Sequence, residues 1–354
     1  MHKPDAHKED GEAVELDNRR WQEELRRVDC LKDCQFPAST EIEIGGTREQ
    51  ATITMKEKGL HANMQSDAAA FEAWALALLF PCRVQSVRIG VDPAADPGAD
   101  PESEAKRHYE RFLYRLKRFS ELFPDRVKVN AVAPQALDPK IKRRLNQPNP
   151  RKKAPDAESR ERMLAASATA PSESELEKAL EISDAFRRRF QLEKVMRQWP
   201  VGLFKEHVAH GQQIFTGGKS AIDLIGIRGD TLVLFELKKE GNRKAGAVSE
   251  LLFYASVMRD AIGDAAIFKF ESKGAKKNCA IAPEDITRCS RICGVLLSPD
   301  FHPLISEPRM FEELNAAMKR LYADRPVHFE TVAITRRPHD ECGDFEFSNG
   351  RSGN

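Results

Sequence analysis

The chain has 354 residues, of which 41% are hydrophobic and 31% are charged, an apolar content that excludes disorder throughout. Lysine and arginine (56) nearly balance aspartate and glutamate (55), so any nucleic-acid surface must come from local clustering. Residues 1–17 are too polar for a signal peptide, and the apolar stretch near residues 68–80 is too short for a bilayer span. With few cysteines as well, the composition predicts a cytoplasmic protein without a membrane partner.

The N-terminal third predicts a charged segment followed by a small domain. Residues 1–39 are highly charged, with a helix predicted over 12–31. Residues 40–133 are interpreted as an accessory α/β domain of unassigned role. Its predicted strands lie at 41–44, 51–55, 83–91 and 127–132, and its helices at 66–80 and 102–123. The second helix is indicated by apolar residues at three- and four-residue spacing from Tyr109 to Leu122.

Residues 134–172 are interpreted as a basic, proline-rich linker, because prolines recur there without any apolar period. Between residues 140 and 153 this segment carries seven basic residues and no acid. Two interpretations stay open for that stretch. It is either a solvated tether or an arm that contacts phosphates.

Residues 173–340 alternate helix and strand signals and are interpreted as one domain, followed by a flexible tail at 341–354. The predicted elements are a helix at 174–199, a hairpin at 219–239, a helix at 245–262, a strand at 293–297, a helix at 309–322 and a strand at 327–336. The hairpin carries most of the chemical information in the chain.

Two apolar runs of that hairpin flank Gly229-Asp230, which predicts a two-residue turn of type II′. In that register Arg228 pairs with Thr231, and Asp223 lies directly opposite Glu236. Directly opposed residues have Cβ atoms about 4.5–5.5 Å apart, and like charges there destabilise the sheet. Mg²⁺ or Mn²⁺ is the natural compensating ion, because both favour oxygen ligands.

Lys238 lies two residues beyond Glu236 and therefore projects from the same face of the strand. Ionisable groups at one end of an otherwise apolar hairpin are unfavourable unless they bind something. Hydrolysis of a phosphodiester needs these groups. The carboxylates hold a metal that polarises the phosphoryl oxygen, and the lysine either orients the attacking water or stabilises developing charge.

Asp223, a spacer of twelve residues and then Glu236-Leu237-Lys238 together resemble the D…(D/E)-x-K signature of the PD-(D/E)XK nuclease superfamily. That superfamily includes restriction endonucleases, Holliday-junction resolvases and RecB-like nuclease domains, and the resemblance covers residues 185–300. It implies a restriction-endonuclease-like core, a mixed sheet flanked by helices in the order α-β-β-β-α-β. The implied metal positions are Asp223, Glu236 and Leu237, and the implied activity is Mg²⁺- or Mn²⁺-dependent phosphodiester hydrolysis, with DNA as substrate.

The resemblance also implies supporting residues on the neighbouring helices. Relatives often carry a carboxylate on the helix before the hairpin, for which Glu193 is the first choice and Glu206 the second. Many also carry Gln-x-x-x-Tyr on the next helix, where this chain has Glu250 and Tyr254, one turn apart. Glutamate in place of glutamine puts direct phosphate contact in doubt, so Glu250 is expected to orient Lys238 or the metal-bound water. Each glutamate also fits a solvated helix charge.

A basic rim around the hairpin is the expected path of a nucleic-acid backbone, and it consists of Lys219, Lys239, Arg243 and Lys244. Two alternatives to an enzyme stay open. One is a nucleic-acid-binding module with little or no turnover, and the other is an interaction protein whose carboxylates form a structural salt-bridge cluster with Lys219 and Lys238. Nucleases that cut both strands are often paired, so a homodimer is a further expectation.

Overall fold

The computed structural model describes residues 14–95, 102–130, 133–149, 156–166, 172–215, 220–271, 279–336 and 345–349. Its helices are α1 (Asn18–Arg26), α2 (Glu57–His61), α3 (Phe71–Leu79), α4 (Glu104–Leu122), α5 (Ala157–Ala166), α6 (Glu173–Ile182), α7 (Asp184–Phe190), α8 (Gly246–Arg259), α9 (Pro283–Thr287) and α10 (Pro308–Leu321). Within these ranges every helix is too short or too polar to span a lipid bilayer.

The strands belong to a four-stranded, a three-stranded and a six-stranded sheet. They are β1 (Ile42–Gly46), β2 (Gln50–Met55), β3 (Ser86–Val91), β4 (Val127–Val129), β5 (Arg144–Leu145), β6 (Lys194–Pro200), β7 (Leu203–Phe204), β8 (Ala221–Arg228), β9 (Thr231–Leu237), β10 (Lys269–Phe270), β11 (Arg291–Ser298), β12 (Val327–Arg336) and β13 (Phe345–Asn349). The chain is therefore α/β, with mixed sheets flanked by helices, as the sequence predicts at that level.

The N-terminal sheet has the order β1-β2-β3-β4, with β1 antiparallel to β2 and the other pairs parallel. Each of its strands lies at a predicted position, although the ends shift by a few residues. Every residue of α3 is buried, including Glu72, whose carboxylate accepts hydrogen bonds from Arg115 of α4. An apolar helix enclosed on all sides is typical of a core element rather than of a surface.

The C-terminal sheet has the order β13-β12-β11-β9-β8-β6. Strands β6, β8 and β9 are antiparallel, whereas β9, β11 and β12 are parallel. Helices α6 and α7 cover one face, and α8 together with the N-terminal region covers the other. Because both faces are covered, the central strands are apolar on both sides.

The predicted hairpin is present, with the predicted register. Its ladder runs from the pair Arg228–Thr231 to the pair Leu224–Phe235. Gly229 has a φ of +58°, and it alone of the two turn residues takes a positive φ, as a type II′ turn requires. The pairing of β8 with β9 stops one pair before Asp223 and Glu236. At that end of the hairpin the two residues make side-chain contacts instead.

Two sequence predictions are wrong in the C-terminal region. The single helix predicted at 174–199 is two helices and a strand, because Ser183 caps α7 and Gln191, with a φ of +56°, ends it. Residues 194–200 then pair with β8 as strand β6. In the tail predicted to be flexible, residues 345–349 form β13 against β12, with Phe345 buried.

The segment predicted as a linker contains secondary structure among its described residues. Arg144–Leu145 forms β5, which is parallel to β10 and antiparallel to β7, and Leu145 is fully buried. Helix α5 follows at Ala157–Ala166. Residues 150–155, which hold three of the seven basic side chains, lie outside the described ranges, so the choice between a tether and a phosphate-contacting arm stays open.

Helix α8 is bound by the N-terminal region at both of its ends. At the start, Asp67 Oδ1 accepts a hydrogen bond from the Ala245 amide at 2.8 Å. At the end, Asp260 Oδ2 accepts hydrogen bonds from Tyr114 Oη at 2.8 Å and from Arg118 Nη2 at 2.6 Å. One continuous hydrophobic cluster includes residues of both regions. The N-terminal region therefore fixes the position of α8.

The start of α8 also needs a residue without a side chain. A Cβ atom on Gly246 would lie 2.4 Å from the carbonyl oxygen of Gln65. Non-bonded carbon and oxygen atoms do not approach that closely. The backbone of α8 can therefore contact the loop before α3 directly only because residue 246 is glycine.

Replacing Asp260 with alanine should destabilise the protein by about 3 kcal/mol, because it leaves the buried Tyr114 hydroxyl without its acceptor and Arg118 with Glu121 alone. Tyr114→Phe removes a single hydroxyl and should cost only about 1 kcal/mol. Urea unfolding of both variants measures the difference. Equal effects, or none from Asp260→Ala, would contradict the role assigned to Asp260.

Candidate active site

Four of the predicted site residues are brought together on the buried side of the hairpin. Glu236 and Lys238 are only 1% and 2% exposed. The Lys238 ammonium donates hydrogen bonds to Glu236 Oε1 and, at 3.1 Å, to Glu250 Oε2. Tyr254 Oη donates to Glu250 Oε1 at 3.5 Å. Glu250 thus contacts Lys238 directly.

Asp223 lies at the more open side of this cluster. Its side chain is partly exposed, and its Oδ2 atom accepts the Leu237 backbone N–H at 2.8 Å. No direct hydrogen bond joins Asp223 to Glu236, yet its charge raises the pKa of Glu236. The predicted pair of carboxylates is therefore close enough for the charge of Asp223 to act on Glu236.

Burial and mutual repulsion make the acids of the cluster hard to ionise. Burial raises the pKa of Asp223 to about 8; Glu177 and Glu250 add to the rise, and Lys238 opposes it. Burial, followed by the charges of Asp223 and Glu250, holds the pKa of Glu236 well above its usual range. Burial alone would lower the pKa of Lys238, but the surrounding carboxylates raise it well above its usual range. Lys238 therefore stays an ammonium.

The cluster has properties that fit a bound cation. Glu236 Oε2 is buried and has no hydrogen-bond partner among the described residues, although buried polar atoms normally have one. The surrounding donors are hard oxygens, the ligands that Mg²⁺ and Mn²⁺ prefer. Asp223 and Glu236 would hold such an ion, with the backbone of Leu237 beside them.

The same side chains do not form a complete coordination shell in this conformation. Across the described ranges, no three His, Cys, Asp or Glu side chains are grouped so that they could hold one metal ion. Asp223 is bound to the Leu237 amide, and the Lys238 ammonium lies against Glu236. A cation between Asp223 and Glu236 would have to replace these contacts.

Two residues of the site were missed in the sequence. Glu177 of α6 is buried and contributes to the raised pKa of Asp223. Its Oε2 atom accepts a hydrogen bond from Gln198 Nε2 at 2.8 Å. Gln198 lies in β6 opposite Asp223, and the residues on either side of it pair with β8. Its φ of +56° is unfavourable for a residue with a side chain.

The structure does not bring Glu193 or Glu206 to the cluster. Glu193 lies just before β6, and its Oε1 accepts the Gly229 amide at 2.9 Å, at the turn end of the hairpin. Glu206 is exposed and lies 3.2 Å from the ammonium of Lys142. The carboxylate on the helix before the hairpin is instead Glu177, which only a correct prediction of the helix break at Ser183 would have singled out.

Three of the four predicted rim residues lie on the loop between β9 and α8, immediately after Lys238. Lys239, Arg243 and Lys244 are exposed. Arg243 Nε donates to the carbonyl oxygen of Phe301 at 3.2 Å and lies 3.6 Å from Asp300. Lys219 lies outside the residues that the structure describes. A polyanion bound along this loop would lie next to the acidic cluster.

No protein-family profile, curated protein sequence or solved structure matches this chain. The PD-(D/E)XK resemblance therefore depends on the motif and on where the structure places its residues.

Without metal, the contribution of Asp223 and Glu236 to the free energy of unfolding should decline as pH rises from about 4 to about 8. The folded state keeps protons on Asp223, with its pKa near 8, and on Glu236, whereas the unfolded chain releases them near pH 4. Asp223→Asn should make this decline shallower, whereas Asp33→Asn, at an exposed aspartate, should leave it unchanged. Urea unfolding in EDTA buffers across this range measures both slopes. Identical slopes for wild type and Asp223→Asn would contradict the placement of Asp223.

Proposed function

We propose that this chain is a divalent-metal-dependent nuclease of the PD-(D/E)XK type that hydrolyses phosphodiester bonds, with DNA as its substrate. The observation that carries the proposal is the acidic end of a buried hairpin. Asp223, Glu236 and Glu250 lie there with a single buried ammonium, that of Lys238, and one carboxylate oxygen of Glu236 has no hydrogen-bond partner among the described residues.

Electrostatics support the metal requirement. Buried carboxylates with raised pKa values keep protons at neutral pH unless a cation compensates their charge. A divalent ion lets both Asp223 and Glu236 ionise, because its positive charge reverses the local preference for protonation. The ammonium of Lys238 carries only one positive charge, half the charge of a divalent ion.

The order of secondary structure also supports the proposal. Apart from the two-residue strands β7 and β10 and the short helix α9, which belong to neither layer of this comparison, the chain runs α7, β6, β8, β9, α8 and β11, as in the expected order α-β-β-β-α-β. The acidic cluster lies where the hairpin and the following helix meet. A restriction-endonuclease-like core at residues 173–340 is therefore part of this proposal.

In the proposed mechanism, Asp223 and Glu236 would hold a divalent ion. When bound, that ion would polarise the phosphoryl oxygen and lower the pKa of a bound water. Lys238 keeps its proton and donates toward the charge that develops on the phosphate. Glu250 orients Lys238 through its 3.1 Å hydrogen bond and is itself bound by Tyr254.

The missed pair, Glu177 and Gln198, acts on the open side of the cluster. Glu177 brings a further negative charge close to Asp223. Gln198 fixes the position of the Glu177 carboxylate through its hydrogen bond. This negative charge favours cation binding at Asp223, so Glu177 would strengthen metal binding without contacting the scissile bond.

A structural salt-bridge cluster is the second candidate, favoured by the contacts of Lys238 with Glu236 and Glu250. It accounts for Lys238 but leaves Asp223 and Glu236 Oε2 without a compensating cation. Metal binding separates the two candidates, because a saturated salt-bridge cluster gains no stability from Mg²⁺ or Mn²⁺.

Glu236→Gln should reduce DNA cleavage at least about 100-fold, because the metal loses a charged ligand at the reacting centre. Glu193→Gln is the matched control, a glutamate at the other end of the same hairpin that should leave cleavage within about twofold. The assay uses linear, circular and single-stranded DNA with Mg²⁺, Mn²⁺ or EDTA.

Cleavage that needs metal and is lost only in Glu236→Gln supports the proposal. Equal cleavage by wild type and Glu236→Gln would place the activity elsewhere or in a contaminant. Wild type that cleaves none of these substrates would contradict the assignment as an enzyme.

Mn²⁺ should stabilise the wild-type protein by about 2.7 kcal/mol at one hundred times its dissociation constant. Lys238→Met should keep this stabilisation while losing cleavage, because the lysine acts on the substrate and not on the ion. Asp223→Asn should lose both. Thermal unfolding with and without Mn²⁺ makes the comparison, and loss of stabilisation in Lys238→Met would contradict the role given to Lys238.

A further inference from the structure

Helix α6 runs along the open side of the acidic cluster, and three of its glutamates show its course. Glu173, Glu177 and Glu181 are spaced four residues apart and therefore share one face of the helix. Four residues of α-helix rise about 6 Å, so these residues follow one another at about 6 Å intervals along the axis. Each of them contacts a different part of the molecule, which places those parts in order along α6.

The start and the middle of α6 contact parts of the proposed site. Glu173 Oε1 accepts a hydrogen bond from Asn242 Nδ2 at 2.6 Å, in the basic loop that follows Lys238. One turn later, the buried Glu177 accepts its hydrogen bond from Gln198 at the open side of the acidic cluster. The basic loop between β9 and α8 therefore lies at one end of α6, and the open side of the cluster lies at its middle.

The other end of α6 is bound by two arginines. Arg160 Nη2, from α5, donates a hydrogen bond to the Ile182 carbonyl oxygen at 3.1 Å. Arg187 Nη2, from α7, donates to the Glu181 carbonyl oxygen at 3.3 Å. Because consecutive Cα atoms are only about 3.8 Å apart, the two guanidinium groups lie close together. Two permanent positive charges from different helices thus meet at the end of α6.

Helix capping accounts for only part of this arrangement. The last carbonyl groups of a helix lack partners within it, and basic side chains often donate to them. A guanidinium has five N–H donors, and each of these two arginines donates one hydrogen bond to a neutral carbonyl group. Among the described residues, no carboxylate lies within ion-pair distance of Arg160 or Arg187. Arg160 is exposed and Arg187 is half-buried, so both keep donors for a ligand.

Two carboxylates lie nearby, and neither forms an ion pair with Arg160 or Arg187. Glu181 is bound by Arg197, whose Nε lies 3.3 Å from Oε2 and whose amide donates to Oε1 at 3.0 Å. Burial lowers the pKa of Arg187; the charge of Asp184 opposes this shift and that of Arg160 adds to it. The two guanidinium groups therefore repel each other, and an anion bound between them would relieve that repulsion.

We propose that Arg160 and Arg187 bind backbone phosphates of the substrate at the end of α6. This inference rests on the proposed nuclease function, which supplies DNA as the substrate. One strand then passes from these arginines, past the open side of Asp223, to the basic loop at the start of α6. From Glu181 to Glu173 the helix rises about 12 Å, which one strand of B-form DNA covers in about three or four nucleotides. The arginines hold the strand on one side of the scissile bond, and the loop holds it on the other.

The test compares Arg160→Gln, Arg187→Gln and the double variant with Arg162→Gln. Arg162 is the matched control, because it lies on another face of α5 and pairs with Glu158 at 3.6 Å. DNA binding is measured with Ca²⁺ in place of Mn²⁺ over a range of salt concentrations. Each lost phosphate contact should make the slope of log binding constant against log salt shallower by about 0.9. The double variant should therefore lose about twice that slope, and Arg162→Gln should keep the wild-type value.

Steady-state DNA cleavage with Mn²⁺ gives a second readout. Neither arginine contacts the scissile bond, so the double variant should raise KM at least about tenfold and change kcat by less than about twofold. Stabilisation by Mn²⁺ should stay as in wild type, because neither arginine contacts the metal ligands. A fall in kcat with an unchanged KM would overturn the inference.

A double variant whose salt slope and KM match those of Arg162→Gln also overturns the inference and leaves both arginines as helix caps. If the variants at Arg187 fail to fold, the exposed Arg160 decides alone, and an unchanged salt slope in Arg160→Gln overturns the inference. Wild type that binds DNA with the expected differences between variants but does not cleave it overturns the proposed function and supports this surface. Wild type that does not bind DNA overturns both.

Discussion

Fixing α8 at both ends is the constraint on which the site depends. Glu250 of that helix accepts hydrogen bonds from Lys238 and from Tyr254, and Lys238 in turn lies against Glu236. The two anchors, at Asp67 and at Asp260, come from contacts with the N-terminal region. A shift of α8 by one turn, about 5.4 Å, would separate Glu250 from Lys238 and leave Lys238 with Glu236 alone. The architecture of the acidic cluster is therefore a property of the whole chain.

The acidic cluster also lowers the stability of the folded protein. Burial, followed by the charges of neighbouring acids, raises the pKa values of Asp223 and Glu236, and Lys238 only partly opposes this rise. Gln198 beside them adopts an unfavourable backbone conformation. Neither feature improves packing. Groups held in this way are common where a ligand completes the charge balance, so both features support a site that binds a cation and an anionic substrate.

Local signals in the sequence were sufficient for the hairpin. Gly229 with its neighbours defined the turn, and the turn fixed the register that brings Asp223 to the same end as Glu236. Alternating faces and the spacing of one helical turn then placed Lys238, Glu250 and Tyr254 correctly relative to each other. These relations depend only on strand and helix periodicity, which can be read from a short stretch of chain.

Long-range pairing could not be read in the same way. The apolar pattern of residues 174–190 continues smoothly into 194–200, so nothing local shows that the latter residues pair with β8 as a strand. Because strand β6 was predicted as helix, the carboxylate on the helix before the hairpin was predicted to be Glu193 instead of Glu177. Strand β13 likewise forms only by pairing with β12.

The proposed active site requires Asp223 and Glu236 to share one divalent cation. Crystals of the wild-type protein soaked with Mn²⁺ and measured for anomalous scattering at the manganese edge would locate that cation. We expect one strong anomalous peak between these two carboxylates, with the Lys238 ammonium displaced from Glu236 and still bound to Glu250. If there is no peak and Lys238 still lies against Glu236 at saturating Mn²⁺, the cluster is a structural salt bridge and the proposed metal site is wrong.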